Sequence, residues 1–280
     1  MSKPGKRWLI TGVSSGLGRA LAEHALSRGD IVVGTLRKRE QFDAFAALAP
    51  GRAIPLQLDV TDDAAVAPAV AEAIAQAGGL DVLVNNAGYA LMGPVEDIAL
   101  TEARHEIETN FFGVLKLSQA VLPHFKAQGG GRIINIASVA AVVGFPMNAL
   151  YSASKFAVSG LSEALAKEWA GFGVKVTSVE PGGFRTNFAL GSLALPQAVS
   201  PHNAAAVEAI QTRMAGFART ATNDPAKGAA VIAALADLDD PPAHLALGAD
   251  GYAMITGALQ GRLAEYERFK DFAGGTAYDG

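Results

Sequence analysis

An apolar run at residues 7–11 (RWLIT) breaks directly into GVSSGLG and then into an amphipathic stretch over residues 17–27. Strand, glycine-rich turn and helix in immediate succession constrain the fold more than any other feature. A turn in that context can cradle a pyrophosphate against the helix N-terminus. Gly12, Gly16 and Gly18 let the backbone turn and approach a ligand closely, while Ser14 and Ser15 add hydroxyl donors. The spacing is G-x-x-x-G-x-G, which differs from the G-x-G-x-x-G of many dinucleotide sites. An ordinary strand-to-helix turn is the alternative reading of the same residues.

The alternation continues along the chain. IVVGTL (31–36) reads as a second strand, 40–48 as a short helix, and a third strand ends at LQLDV (56–60). A helix follows to residue 77, with Pro68 near its start or marking a kink, and DVLVNNAG (81–88) begins with a strand. A long helix is predicted over 101–128 and a central strand over 132–138. Further helices fall at about 151–169, 224–237 and 250–271, and further strands at 173–180 and 244–248. With 280 residues, half of them apolar, the chain can bury the core of one large α/β domain, and no repeat or linker divides it.

A net charge of −4 argues against nucleic acid as the main partner. Without cysteine there is neither a disulfide framework nor thiolate chemistry, and the five scattered histidines lack metal-ligand spacing. No apolar run reaches membrane-spanning length, so a cytoplasmic protein is the expectation.

Several strand ends carry candidate binding residues. At the end of the second strand an acid would hold a ribose 2′-hydroxyl. Leu36 stands there instead, followed by Arg37, Lys38 and Arg39. A guanidinium can fork onto a 2′-phosphate, which favours NADP over NAD. A merely solvated basic turn stays open for Lys38 and Arg39. Asp59 can accept from an adenine amino group or cap the next helix. Asn85 and Asn86 can bind backbone and hold the sheet edge open, or form an Asx-turn. Asn110 within the long helix marks either a local break holding a water or an interior hydrogen bond.

The chemistry is predicted around residues 138–155 (SVAAVVGFPMNALYSASK). Lys155 follows Tyr151 at i+4, on the same helix face. An ammonium at about 4 Å is worth roughly 4 kcal/mol at intermediate dielectric, enough to lower a phenol's pKa by up to about three. That predicts a tyrosine able to donate or accept a proton, with Ser138 bonding the oxygen on which the proton lands. A second Tyr-x-x-x-Lys pair, Tyr266 and Lys270, has bulky residues between its members and Ala253 where the serine would fall. It is expected to be surface helix.

Taken in order, TGVSSGLG, Asp59, NNAG, Asn110, Ser138, YSASK and PGGFRT resemble the short-chain dehydrogenase/reductase family over residues 7–186. The resemblance implies a single-domain, Rossmann-like, doubly wound sheet of about seven parallel strands with helices on both faces. It also implies a catalytic tetrad of Asn110, Ser138, Tyr151 and Lys155. In it Lys155 also binds the nicotinamide ribose, and Asn110 positions a water in a proton relay. Pro181, Gly182, Phe184 and Thr186 would lie at the nicotinamide and Asn86, Ala87 and Gly88 near its ribose, with Leu17 and Val60 completing the cofactor contacts. The implied activity is NADP(H)-dependent interconversion of a carbonyl and an alcohol, of the hydroxysteroid- and retinol-dehydrogenase-like branch. A catalytically silent NADP(H)-binding sensor or scaffold of the same fold is the competing reading.

Residues 187–220 read as a loop and helix over the cleft, and their length suggests a mobile lid. With Leu91, Met92, Val142, Val143, Phe145, Met147 and Leu150 they suggest an apolar pocket and a small hydrophobic substrate, although each can equally be core. By analogy with the family, helices near 101–128 and 151–170 would pair copies into a homo-oligomer.

Overall fold

The structure, a computed structural model, describes residues 5–276 and 278, apart from the side chains of residues 189, 190 and 218. β1 (Arg7–Ile10), α1 (Gly16–Ser27), β2 (Ile31–Leu36), α2 (Phe42–Ala46) and β3 (Ala53–Gln57) form the first half-unit. α3 (Asp63–Ala77) leads to β4 (Val82–Asn85) and the two-residue β5 (Ala90–Leu91). α4 (Leu100–Ile107) then runs through one widened π-turn (Glu108–Phe112) into α5 (Gly113–Gln128). β6 (Gly131–Ile136), α6 (Ala149–Glu168) and β7 (Val174–Pro181) carry the chain to α7 (Phe188–Gly191), β8 (Leu193–Ala194) and α8 (Ala204–Thr220). α9 (Pro225–Leu235), β9 (His244–Leu247) and α10 (Ala249–Gly274) complete it.

Seven strands form one parallel sheet in the order β3-β2-β1-β4-β6-β7-β9. Strand order reverses between β1 and β4, which opens a crevice beyond their carboxyl ends. The sheet is buried on both sides because successive residues face opposite layers. Trp8 and Ile10 pack with Val84, Ile134 and residues of α1 and α9, whereas Leu9 packs with Leu83, Ile133 and residues of α3 and α5. The predicted single-domain, doubly wound α/β fold is therefore what the chain forms.

Local chemistry sets the element ends. Asp62 caps α3 by accepting from the backbone N–H groups of Ala64 and Ala65. That role had been open to Asp59, which instead accepts from the N–H and hydroxyl of Thr61 at 3.0 and 2.8 Å. β3 also stops at Gln57, short of the predicted 56–60, because the chain turns at Asp59. Asn85 does not bind backbone at the sheet edge as expected. Its Nδ2 donates across the sheet to Asn135 Oδ1 at 2.7 Å, and Asn135 Nδ2 donates to Ser162 Oγ at 2.8 Å. This buried ladder ties β4 and β6 to α6 and fixes their register.

Candidate active site

The crevice is a cleft of about 670 Å³ bordered by the glycine-rich turn, the ends of β2, β4, β6 and β7, and α6, α8 and α10. Gly12 and Gly16 adopt φ of 72° and 64°, a backbone region that favours glycine. A Cβ at Gly12 would lie 3.1 Å from Ala87 Cα. Gly18 stands back from the cleft, where a Cβ would collide with Asn86 Nδ2, so it allows the helix to pack against the sheet end. Ser14, Ser15 and Leu17 border the opening.

The end of β4 is stitched to the end of β1. Asn86 Nδ2 donates to the carbonyls of Thr11 at 2.8 Å and Gly12 at 3.1 Å, and Thr11 Oγ1 accepts from the N–H groups of Asn86 and Ala87. At Gly88 a Cβ would meet Asn110 Oδ1 at 2.9 Å and Lys155 Nζ at 3.6 Å. Those two side chains close around this glycine, which is why the position carries none.

Opposite lie the remaining cofactor candidates. Asp59 and Val60 border the cleft beside Arg37 and Lys38, both solvent-exposed. Arg39 turns away, its Nε donating to Gln57 Oε1 at 2.8 Å. At the far end Pro181, Gly182 and Thr186 face the same cleft. Phe184 borders it as well, but packs largely into the core against Gly228.

Ser138 sits two residues beyond β6 and caps a short turn, its Oγ accepting from Ala140 N at 3.1 Å. Tyr151, which is 8% exposed, borders the same cleft as Ser138. Lys155 Nζ donates to Ile136 O at 2.8 Å and lies 5.6 Å from the Tyr151 ring centroid. The cleft thus gathers Ser138, Tyr151 and Lys155. Asn110 lies behind it, fully buried. Its Oδ1 accepts from Tyr89 N at 3.0 Å, and its Nδ2 donates to Tyr89 O at 2.8 Å and to Ser154 Oγ at 3.0 Å. Both expectations for Asn110 meet here in part: the helix breaks at the π-turn, and the side chain makes interior hydrogen bonds.

The predicted depression of the Tyr151 pKa does not occur in this geometry. Burial pushes the phenol up to about 12; the Ser138 hydroxyl pulls it down and the carboxyl of Glu106 pushes it further up. Lys155 is itself brought down to about 8, mainly by burial, with Glu106 opposing. Attraction between two charges at i and i+4 is outweighed here by the cost of desolvating both.

Met92 and Phe145 border the cleft, but among the described residues Leu91, Val142, Val143, Met147 and Leu150 do not. Leu91 is inside β5, and Met147 lies at the surface with φ of 61°. The apolar wall comes from Phe188, Met214 and Phe217, inside the expected 187–220 segment, and from Met254 of α10. Tyr266 is 66% exposed on α10, as expected for the second Tyr-x-x-x-Lys pair.

Sequence reading missed Asp250 and Glu106. Asp250 Oδ2 accepts from Gly183 N at 2.7 Å and its Oδ1 from Asn223 Nδ2, tying α10 to the turn after β7. Nothing local in the sequence marks that contact, which spans 67 residues. Glu106, fully buried, was legible in principle: it precedes Asn110 by four residues on one helix.

Sheet order, switch-point crevice and glycine-rich turn place the molecule among Rossmann-like dehydrogenases. More narrowly, the chain belongs to the short-chain dehydrogenase family, described as "short chain dehydrogenase", which its residues 6–192 match. It is 36% identical over 269 residues to Oxidoreductase BOA17 of Botryotinia fuckeliana, covering 96% of this chain and 98% of that one. The crystal structure of a short-chain dehydrogenase from Streptomyces avermitilis superimposes with a TM-score of 0.89 at 40% identity, over 99% of this chain and 100% of that chain. A Burkholderia cenocepacia short chain dehydrogenase in complex with NADP superimposes with a TM-score of 0.73 at 29% identity, over 96% and 98% of the two chains. Another structural relative is complexed with NADH.

Proposed function

We propose that this oxidoreductase interconverts a carbonyl and an alcohol on a mostly apolar substrate, with NADP(H) as cofactor and Tyr151 as general acid and base. The observation that carries this reading is one cleft that gathers Ser138, Tyr151 and Lys155 with the glycine-rich turn.

The residues fit a dinucleotide. Glycines at 12, 16 and 88 leave room where side chains would intrude, and the N-terminus of α1 offers backbone N–H groups for a pyrophosphate. Ser14, Ser15 and Leu17 would border the phosphates, with Arg37 at the ribose phosphate and Asp59 and Val60 at the adenine. Asn86, Ala87, Gly88 and Lys155 would flank the second ribose, and Pro181, Gly182 and Thr186 the nicotinamide. Relatives of this fold hold NADH as well as NADP, so the choice rests on Leu36 and the exposed Arg37, which favour a 2′-phosphate. When bound, the nicotinamide supplies or accepts the hydride.

The protein's own residues handle orientation and the proton. Ser138 and Tyr151 hydrogen-bond the substrate oxygen and stabilise the negative charge that grows on it. A phenol held near 12 by burial is protonated at neutral pH, which suits donation to that oxygen during carbonyl reduction. Phe188, Met214, Phe217 and Met254 exclude water around an apolar substrate. Asn110 acts as a positioning residue through Tyr89 and Ser154.

Absorbance of the reduced nicotinamide, followed with a broad panel of ketones and aldehydes, tests the reading. Consumption with apolar carbonyls is expected. Silence across the panel despite tight NADPH binding would leave the non-catalytic sensor as the better account.

A further inference from the structure

The turn after β7 (181–186) is held in shape from outside, by a carboxylate that the reaction above leaves unused. Gly182 N donates to Leu247 O of β9 at 2.9 Å, and Gly183 N donates to Asp250 Oδ2 on α10 at 2.7 Å. Gly183 O accepts from the backbone N–H of Asn223 at 3.2 Å and from its Nδ2 at 2.8 Å, three residues past the end of α8. The same Nδ2 donates to Asp250 Oδ1 at 2.6 Å. Gly183, Asn223 and Asp250 thus close a ring of hydrogen bonds in which the N–H and the carbonyl of Gly183 are both taken.

Glycines leave room for this ring. A Cβ at Gly182 would lie 2.5 Å from Asp250 Oδ1, one at Gly251 would lie 2.9 Å from Gly182 N, and one at Gly248 would lie 2.6 Å from Asn223 Nδ2. The start of α10 and the turn therefore meet with almost no side chain between them. An acid in the first turn of a helix commonly serves the helix dipole, and Asp250 stands in the first turn of α10. That role would not send both of its oxygens to other elements. An amide in its place would present one oxygen, whereas the N–H of Gly183 and the Nδ2 of Asn223 are received by two. Burial pushes Asp250 up, but the bonds from Gly183 and Asn223 outweigh it and leave the carboxyl below its ordinary value.

Asp250 borders the cleft together with Pro181, Gly182 and Thr186, the residues assigned above to the nicotinamide; Asn223 does not border it. We infer that Asp250 is a positioning residue for the cofactor: through Gly183 it fixes the backbone on which the nicotinamide half of the dinucleotide rests, and Asn223 braces it. The inference rests on the proposed binding of NADP(H) in this cleft. Among the described residues, neither Asp250 nor Asn223 bonds Arg37, Asp59 or Val60 at the adenosine end.

That separation supplies the test. Binding to the full chain is measured by calorimetry, without substrate, for NADPH and for adenosine 2′,5′-bisphosphate, which carries the adenosine half alone. In Asp250→Ala NADPH should bind about tenfold or more weaker, the worth of a charge-assisted bond, while the bisphosphate stays within about twofold of wild type. A general loosening of the fold would weaken both. Asn223→Ala should show the same split at smaller size, and it is the deciding variant if Asp250→Ala does not fold. Equal losses for the two ligands, or unchanged NADPH binding, in the deciding variant would overturn the assignment and leave the cofactor reading standing. A wild type that binds neither ligand would refute the cofactor reading, and this inference with it.

Discussion

At Lys155 two effects oppose one another: burial disfavours the ammonium, whereas the carbonyl of Ile136 at 2.8 Å receives it. Burial dominates, with the pKa brought down to about 8 from an ordinary 10.5. Between those values the unfolded chain binds a proton that the folded protein releases, so Lys155 adds stability as pH rises from about 8 towards 10.5. Lys155→Met should lose that rise, which urea midpoints at neutral and alkaline pH would detect. An identical alkaline gain in the variant would show that Lys155 is not its source. Gly18 makes a packing prediction. A methyl there meets Asn86 Nδ2 and the Gly12 carbonyl, both held by hydrogen bonds, so Gly18→Ala should cost about 1–3 kcal/mol in chemical denaturation. Arg37 makes a binding one. Arg37→Ala should weaken NADPH by about tenfold or more, the worth of a charge-assisted bond, and leave NADH nearly unchanged. Equal loss for both cofactors would remove the phosphate-binding role.

Among the elements, α4, the π-turn and α5 show how a helix can carry a site without ending. The widened turn lets Asn110 face inward, and Gly113 fits against Val60, where a Cβ would meet that side chain at 2.9 Å. The segment over the cleft is tied to its surroundings at definite points. β8 pairs in parallel with β5, Ser200 and Asn203 bond Asp97, and Gln197 N donates to Glu102. We propose that these ties hold a lid over residues 187–220. If so, limited proteolysis should cut there without cofactor and be suppressed by NADPH; unchanged cleavage would count against a lid. The strands of the large sheet and their order were legible in the sequence because they are short apolar runs bounded by glycine, proline and acids, whereas the two-residue β5 and β8 were not. Their ends were less so. The end of β3 depended on which of Asp59 and Asp62 would cap α3, and the sequence offers both.

For the molecule as a whole, the parallel sheet brings residues from opposite ends of the chain to one crevice. Ser138, Tyr151 and Lys155 were legible because they sit close in sequence on one strand-to-helix connection. The apolar wall was legible as far as the 187–220 segment supplies it, but Met254 was not, since it reaches the cleft only through the packing of α10. The protonation of the site was misread for a physical reason: spacing reveals a charged neighbour, but not how much water folding removes. No helix among the described residues is long and apolar enough to cross a membrane. Phe112, at the end of the π-turn, and Phe156, on α6, are 42% and 37% exposed, and we propose that these helices pair copies of the chain. Sedimentation should then give a multiple of 28.8 kDa. If the phenol of Tyr151 gives and takes the proton, Tyr151→Phe is the decisive variant. With turnover and NADPH binding measured on the same preparation, the variant should bind the cofactor as wild type does and lose nearly all carbonyl reduction. Wild-type rates in that variant would contradict the account.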